Sequence, residues 1–139
     1  MQYKRIMCLD YGDVRIGIAF SDLLQIVASA YDTYVRKDLE TDLEYFANLA
    51  KSQQVEKVIL GLPYNMDGTS GERNNLTKEF GNLLQQKLNL PVEYVDERLS
   101  SVEAEDVLRE AHVPPQKRKG LIDKIAASII LQSYLNSKK

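Results

Sequence analysis

One cysteine, one histidine and no tryptophan occur among the 139 residues. A lone cysteine excludes an internal disulfide and a cysteine-rich zinc site. Cys8 lies between Met7 and Leu9, where a buried, inert thiol is expected. His112 is equally alone, so mechanisms that need a histidine pair, or a histidine beside a cysteine nucleophile, have no support. Long apolar runs are missing too. None approaches the ~20 residues of a membrane helix, and the opening MQYKRIMCLDYG lacks a signal-length apolar core. Neither membrane insertion nor export is expected, which leaves the cytoplasm as the expected compartment. Charge of one sign is not in excess either: 18 basic against 20 acidic residues give a formal net charge of -2. That balance argues against a surface coated with nonspecific nucleic-acid affinity, but leaves room for a local basic surface around an acidic centre. No repeat, low-complexity tract or long linker divides the chain, so residues 1–139 are expected to form one domain.

What is present has globular composition, 44% hydrophobic and 27% charged. Residues 3–10 (YKRIMCLD) are apolar on both faces near their end, as in a central buried strand. Tyr11-Gly12-Asp13-Val14 signals a turn, and RIGIAF (15–20) returns as the second arm of a hairpin. Residues 27–35 fit a third antiparallel strand. The period then changes. Asp38 can cap a helix with Leu39, Leu43, Phe46, Ala47 and Ala50 on one face. VILGL (58–62) reads as a short buried strand ended by Pro63, followed by the polar loop PYNMDGTSG. Thr69 to Glu72 fits a capping box for a helix to about Leu88. Val92 to Val95 is the fifth strand. Ser100 with Glu103 fits another capping box, for a helix to about Ala111. A basic loop, PPQKRKG, leads into a last helix of about 121–136. The order β-β-β-α-β-α-β-α-α predicts an α/β fold, a five-stranded mixed sheet with helices on both faces.

Three acids stand out as candidates for chemistry. Asp10 ends the most apolar strand, where a carboxylate is costly unless paired or bound to a cation. Val95-Asp96-Glu97-Arg98 ends the fifth strand. Neighbouring side chains of a strand point to opposite faces, so only one of Asp96 and Glu97 can face a site beside Asp10. Glu97 is preferred for its reach, with Asp96 as the alternative. Asp123 lies near the start of the last helix, where a carboxylate also suits the helix dipole. Ala126 and Ala127, at i+3 and i+4 from it, would let that face lie close to the sheet. Three carboxylates from separate elements form a hard oxygen site suited to Mg²⁺ or Mn²⁺. Such a site hydrolyses phosphodiesters with neither a histidine base nor a covalent nucleophile. Phosphate contacts are expected from Arg15, Arg98, Thr69 and Ser70 at a helix N-terminus, and the basic run Lys117, Arg118, Lys119. Tyr11 and Tyr64 are candidates for base stacking, with packing the commoner use of such tyrosines. His112 is expected at a helix C-terminus without a catalytic part.

Taken together, LDYGDVRIGIAFSD, VILGLPYNMDGTSGE, VDERLSSVEAE and IDKIAASIIL resemble the YqgF/RuvX family over nearly the whole chain. The resemblance implies the RNase H-like fold shared with RuvC resolvases. It implies nuclease activity in 5′-end processing of pre-16S rRNA or, alternatively, Holliday junction resolution. The family's acidic positions fall on Asp10, the Asp96-Glu97 pair and Asp123. Pre-rRNA is the favoured nucleic-acid partner and branched DNA the alternative, with the protein acting as a monomer or a homodimer. Two rival readings remain. The Asp-Tyr-Gly turn also resembles the phosphate hairpin of actin/hexokinase ATPases, which bind nucleotide between two such domains. A non-catalytic module that grips structured nucleic acid is the other.

Overall fold

The computed structural model describes residues 4–62, 71–96 and 100–138, with the side chains of 73, 100–103, 105, 119 and 120 left aside. Strands β1 (Arg5–Tyr11), β2 (Arg15–Ser21) and β3 (Ala28–Val35) are followed by α1 (Leu39–Ser52) and β4 (Val55–Leu62). Then come α2 (Glu72–Leu88), β5 (Val92–Asp96), α3 (Ser100–Glu110) and α4 (Pro115–Ser137). The sheet order is β3-β2-β1-β4-β5. β1–β2 and β2–β3 pair antiparallel, while β1–β4 and β4–β5 pair parallel. This is the mixed five-stranded sheet that the sequence predicts, with β1 at its centre.

Each face of β1 is buried against different helices, which is why its sequence is apolar without alternation. Met7 and Leu9 join Ile16, Ile18, Phe46, Val58, Leu60, Phe80 and Leu84 on the side covered by α1 and α2. Ile6 and Cys8 face the other way and pack with Ala19, Ile59, Ala127, Ile130 and Leu131 under α4. Cys8 is fully buried, as expected. α3 packs on α4, burying Ala104 and Leu108. No helix among the described residues is long and apolar enough to cross a membrane.

Asp38 caps α1 as expected: its carboxylate accepts from the Thr41 amide at 2.8 Å. That hydrogen bond holds the Asp38 pKa below its ordinary value. The expected apolar face of α1 needs correcting, however. Leu39 is 44% exposed, whereas Asp42 is wholly buried. The α2 N-cap is Gly71, with no side-chain cap bond; Thr69 of the expected capping box lies outside the described residues. The capping pair proposed for Ser100 and Glu103 lies outside the described side chains. The largest difference is at α4. The basic run is no loop: α4 begins at Pro115, so Lys117, Arg118 and Lys119 belong to its first turns. Proline at the first helical position has its φ preset and loses no needed N–H, which makes Pro114-Pro115 a start and not a break. Asp123 therefore sits in the third turn, beyond the reach of the helix dipole.

The C-terminal half of α4 is pinned to the sheet by polar contacts. Lys57 Nζ donates to the Tyr134 hydroxyl at 2.9 Å, which donates to Glu93 Oε2 at 2.7 Å. Lys57 and Glu93 also pair at 3.2 Å. The tyrosine bond, aided by Lys57, depresses the Glu93 pKa.

Candidate active site

β1 carries Asp10 one residue from its end, on the α4 side, in step with Ile6 and Cys8. Asp10 is half-buried. Its register partner on β2 is Gly17. A Cβ on Gly17 would overlap the carbonyl group of Asp123 and come within 2.8 Å of the Lys124 amide nitrogen. The α4 backbone at Asp123 thus rests directly on β2, at the residue opposite Asp10. Ala126 and Ala127, both fully buried, allow this close approach along the rest of the contact. Glycine inside a strand marks this kind of backbone contact, a signal that the RIGIAF motif carried and that the motif reading passed over.

Arg15 has the same parity as Gly17 and reaches the same place. Its Nε donates to Asp123 Oδ2 at 2.8 Å, across 108 residues of sequence. The two side chains are 28% and 23% exposed, so the pair is reachable from solvent. Three of the predicted residues, Asp10, Arg15 and Asp123, are therefore gathered around one glycine.

The other candidates divide. Asp96 ends β5 opposite Leu62 and has the parity of Val92 and Tyr94, which pack on the α1/α2 side. Glu93 and Val95 have the opposite parity and meet α4. Glu97, Arg98, Thr69, Ser70 and Tyr64 lie outside the described residues, as does the side chain of Lys119. Among the described residues no three metal-ligating side chains form one group. Lys117 is exposed. Arg118 is half-buried, and its Nε donates to the Val113 carbonyl at 2.9 Å, tying α4 to the end of α3. Tyr11 is a packing residue, with its ring 4.7 Å from that of Phe80. His112 follows α3 with φ 59°, in the left-handed conformation that ends helices.

Beneath the turn after Asp10 lies a buried network that local sequence patterns do not reveal. Asp42 Oδ1 accepts from the Tyr34 hydroxyl at 2.7 Å and the Lys37 amide at 2.9 Å. Its Oδ2 accepts from Arg36 Nε at 3.1 Å. Arg36 Nη1 then donates to the Tyr11 hydroxyl at 2.8 Å and the Gly12 carbonyl at 3.2 Å. The Arg36 amide donates to the Val14 carbonyl at 2.8 Å. The guanidinium also lies over the Tyr11 ring, 4.8 Å from its centroid. Burial opposes its charge, but the bonds to Asp42 and Tyr11 outweigh that and raise the Arg36 pKa. Both backbone carbonyls of the β1–β2 turn that Arg36 engages are thereby fixed between Asp10 and Arg15.

Comparison with known proteins agrees with this architecture. The model of the RuvX family, described as Holliday junction resolvase, matches residues 4–137. A protein of Halothermothrix orenii named "Putative pre-16S rRNA nuclease" is 54% identical over 132 residues, covering 95% of this chain and 94% of its own length. A protein of Syntrophomonas wolfei with the same name is 52% identical over the same share of each chain. Among solved structures, Thermus thermophilus RuvC in complex with a Holliday junction substrate aligns with a TM-score of 0.62 at 11% identity, covering 98% of this chain and 96% of that one. The Fowlpox virus resolvase bound to Holliday junction DNA aligns at 0.60 and 14% identity, covering 96% and 98%. At such identities the structural likeness shows the fold alone, and that fold is the RNase H-like one expected. With its motifs, its sheet order and its relatives in accord over nearly its full length, the chain belongs to the RuvX family.

Proposed function

We propose that the chain is a single-domain, metal-dependent nuclease that hydrolyses phosphodiester bonds, working in the cytoplasm on the 5′ leader of pre-16S rRNA. The observation that carries this reading is the convergence of Asp10 and Asp123 on either side of Gly17, with Arg15 against Asp123. Two carboxylates carried by neighbouring elements at the end of the central strand make a setting that a bound cation stabilises. Their donors are hard oxygens, and that donor set fits Mg²⁺ or Mn²⁺. Glu97, which follows directly on β5, is the third acid of this reading, with Asp96 as the alternative. Asp10, Asp123 and Glu97 would hold the ion, which when bound supplies an activated water and charge stabilisation of the leaving oxygen.

The chain's own residues do the positioning. The Arg36–Asp42 network fixes the turn that separates Asp10 from Arg15. Arg15 offers a planar guanidinium to a non-bridging phosphate oxygen. Lys117, exposed in the first turns of α4, adds positive charge along the path of the nucleic-acid backbone. Arg118 serves here through its bond to Val113, which orients the start of α4.

Pre-16S rRNA is favoured because relatives above 50% identity carry that activity in their names. The family description supports a second reading, junction resolution, which calls for a two-fold dimer making paired cuts. A module that only binds nucleic acid is disfavoured, because acids at a phosphate-binding surface are unfavourable without a cation.

The test runs the purified chain with Mg²⁺ or Mn²⁺ on pre-16S leader RNA and a four-way DNA junction in parallel, with its mass in solution measured alongside. Asp10→Asn is expected to lose cleavage by about 100-fold or more with nucleic-acid binding kept. Equal cleavage by mutant and parent ends the nuclease assignment. Cleavage of the junction alone, by a dimer, moves the assignment to resolvase.

A further inference from the structure

The geometry points to Arg15 as an internal counter-ion: it neutralises Asp123 while no divalent cation is bound and transfers to the substrate phosphate when one arrives. The inference rests on the nuclease reading above and adds a switching role for this residue.

Its basis is the contact itself. Arg15 Nε and Asp123 Oδ2 are 2.8 Å apart, with both side chains about three-quarters covered. A carboxylate that is three-quarters covered is costly to leave uncompensated, and Arg15 supplies the compensating charge to Asp123. Asp123 is also one of the residues that would hold a divalent ion. A cation on Asp123 would stand next to the guanidinium, where like charges repel, so the two occupants of Asp123 compete.

The released arginine has somewhere to go. A guanidinium carries five N–H groups in a planar fork that matches phosphate oxygens. Only its side chain has to move. The main chain before Arg15 is held by the Arg36 amide on the Val14 carbonyl at 2.8 Å, and the strand after it is paired on both sides, with β1 and β3. A fixed base with a long, partly exposed arm confines the change to the Arg15 rotamer. A bare site would then keep Asp123 neutralised, and the phosphate-binding arginine would be delivered only to a site charged with metal.

The competing view is that Arg15 merely orients Asp123 for the ion. The two views predict opposite signs. The experiment titrates the full-length, metal-free protein with Mn²⁺, read by the electron paramagnetic resonance of the free ion, for the parent, Arg15→Gln and Arg15→Lys. Thermal melts in EDTA check that each is folded. The counter-ion role predicts that Arg15→Gln binds Mn²⁺ about 5-fold or more tightly than the parent. Arg15→Lys, which keeps the charge, should stay nearer the parent. It also predicts that Arg15→Gln weakens binding of fluorescent leader RNA more in Ca²⁺ than in EDTA. Equal or weaker Mn²⁺ binding by Arg15→Gln overturns the inference while leaving the nuclease reading intact. A parent protein that takes up no Mn²⁺ overturns the nuclease reading itself.

Discussion

Replacing Gly17 by alanine tests the geometry on which the site depends. The added methyl carbon would overlap the Asp123 carbonyl and lie 2.8 Å from the Lys124 nitrogen. Attractive contact begins near 3.5 Å, so even the milder of these clashes is short by roughly 0.7 Å. Neither partner can yield by a rotamer change, because both atoms belong to helix backbone. α4 must therefore recede from β2 by about 1 Å, against the packing of Ala127, Ile130 and Leu131 and the Tyr134 hydrogen bonds that anchor its far end. Overpacking of this kind costs about 1–3 kcal/mol. For a domain of this size that is roughly 3–9 °C in Tm, measured by circular dichroism. The larger effect is expected on function. Asp123 moves with the helix while Asp10 stays with the sheet, and a displacement near 1 Å costs about 100-fold in rate. Cleavage assayed at 25 °C, well below the melting range, separates this loss from unfolding. Gly17→Ala with a Tm within about 1 °C of the parent and cleavage within about twofold would show that this glycine does not set the separation of the two acids.

Two further predictions concern the network beneath the turn. Asp42→Ala removes a wholly buried carboxylate and leaves Arg36 Nε, the Tyr34 hydroxyl and the Lys37 amide without the acceptor they share, and the guanidinium without its counter-charge. Urea unfolding should show a loss of about 3–5 kcal/mol; a loss under about 1 kcal/mol would mean that the network contributes little. Tyr34 gives a pH signature. Burial, then its bond to Asp42, pushes its phenol up to about 12, above the value near 10 in an unfolded chain. The folded state therefore holds that proton more tightly. The associated stability is complete below about pH 10 and is lost as pH rises towards 12. Tyr34→Phe should flatten the alkaline decline in urea-melt stability between about pH 10 and 12, and an unchanged slope would assign the decline to other groups.

Much of the fold is written in local pattern. β1 reads as central because Ile6 and Cys8 meet α4 while Met7 and Leu9 meet α1 and α2, so both faces had to be apolar. Asp38 reads as a cap because its chemistry acts three residues away. What local pattern misreads is set by distant partners. Leu39 has the right spacing for the buried face of α1, yet Asp42 takes the interior, since its acceptor oxygens are used by Tyr34 of β3 and Arg36 of the following link. The PPQKRKG stretch looks like a loop because proline and glycine disfavour a helix interior and three positive charges oppose the dipole at a helix start. At the very start of a helix the proline is tolerated, and α3, through Arg118 and Val113, holds the start of α4 in place.

The candidate site divides along the same line. Asp10 and Asp123 can be nominated from sequence, because an acid ending an apolar strand and an acid beside paired alanines are each locally conspicuous. What places them near one another is tertiary, and the residue that allows it has no chemistry of its own. Gly17 is the smallest residue of the RIGIAF strand. It stands opposite one acid and beneath the backbone of the other. Any side chain there would hold the helix off the sheet, and the distance between the acids would be set by that side chain and not by the ion they are proposed to share. The requirement for glycine at 17 follows from the α4 backbone that rests on it, as the need for aliphatic residues at 16 and 18 follows from the core on the opposite face.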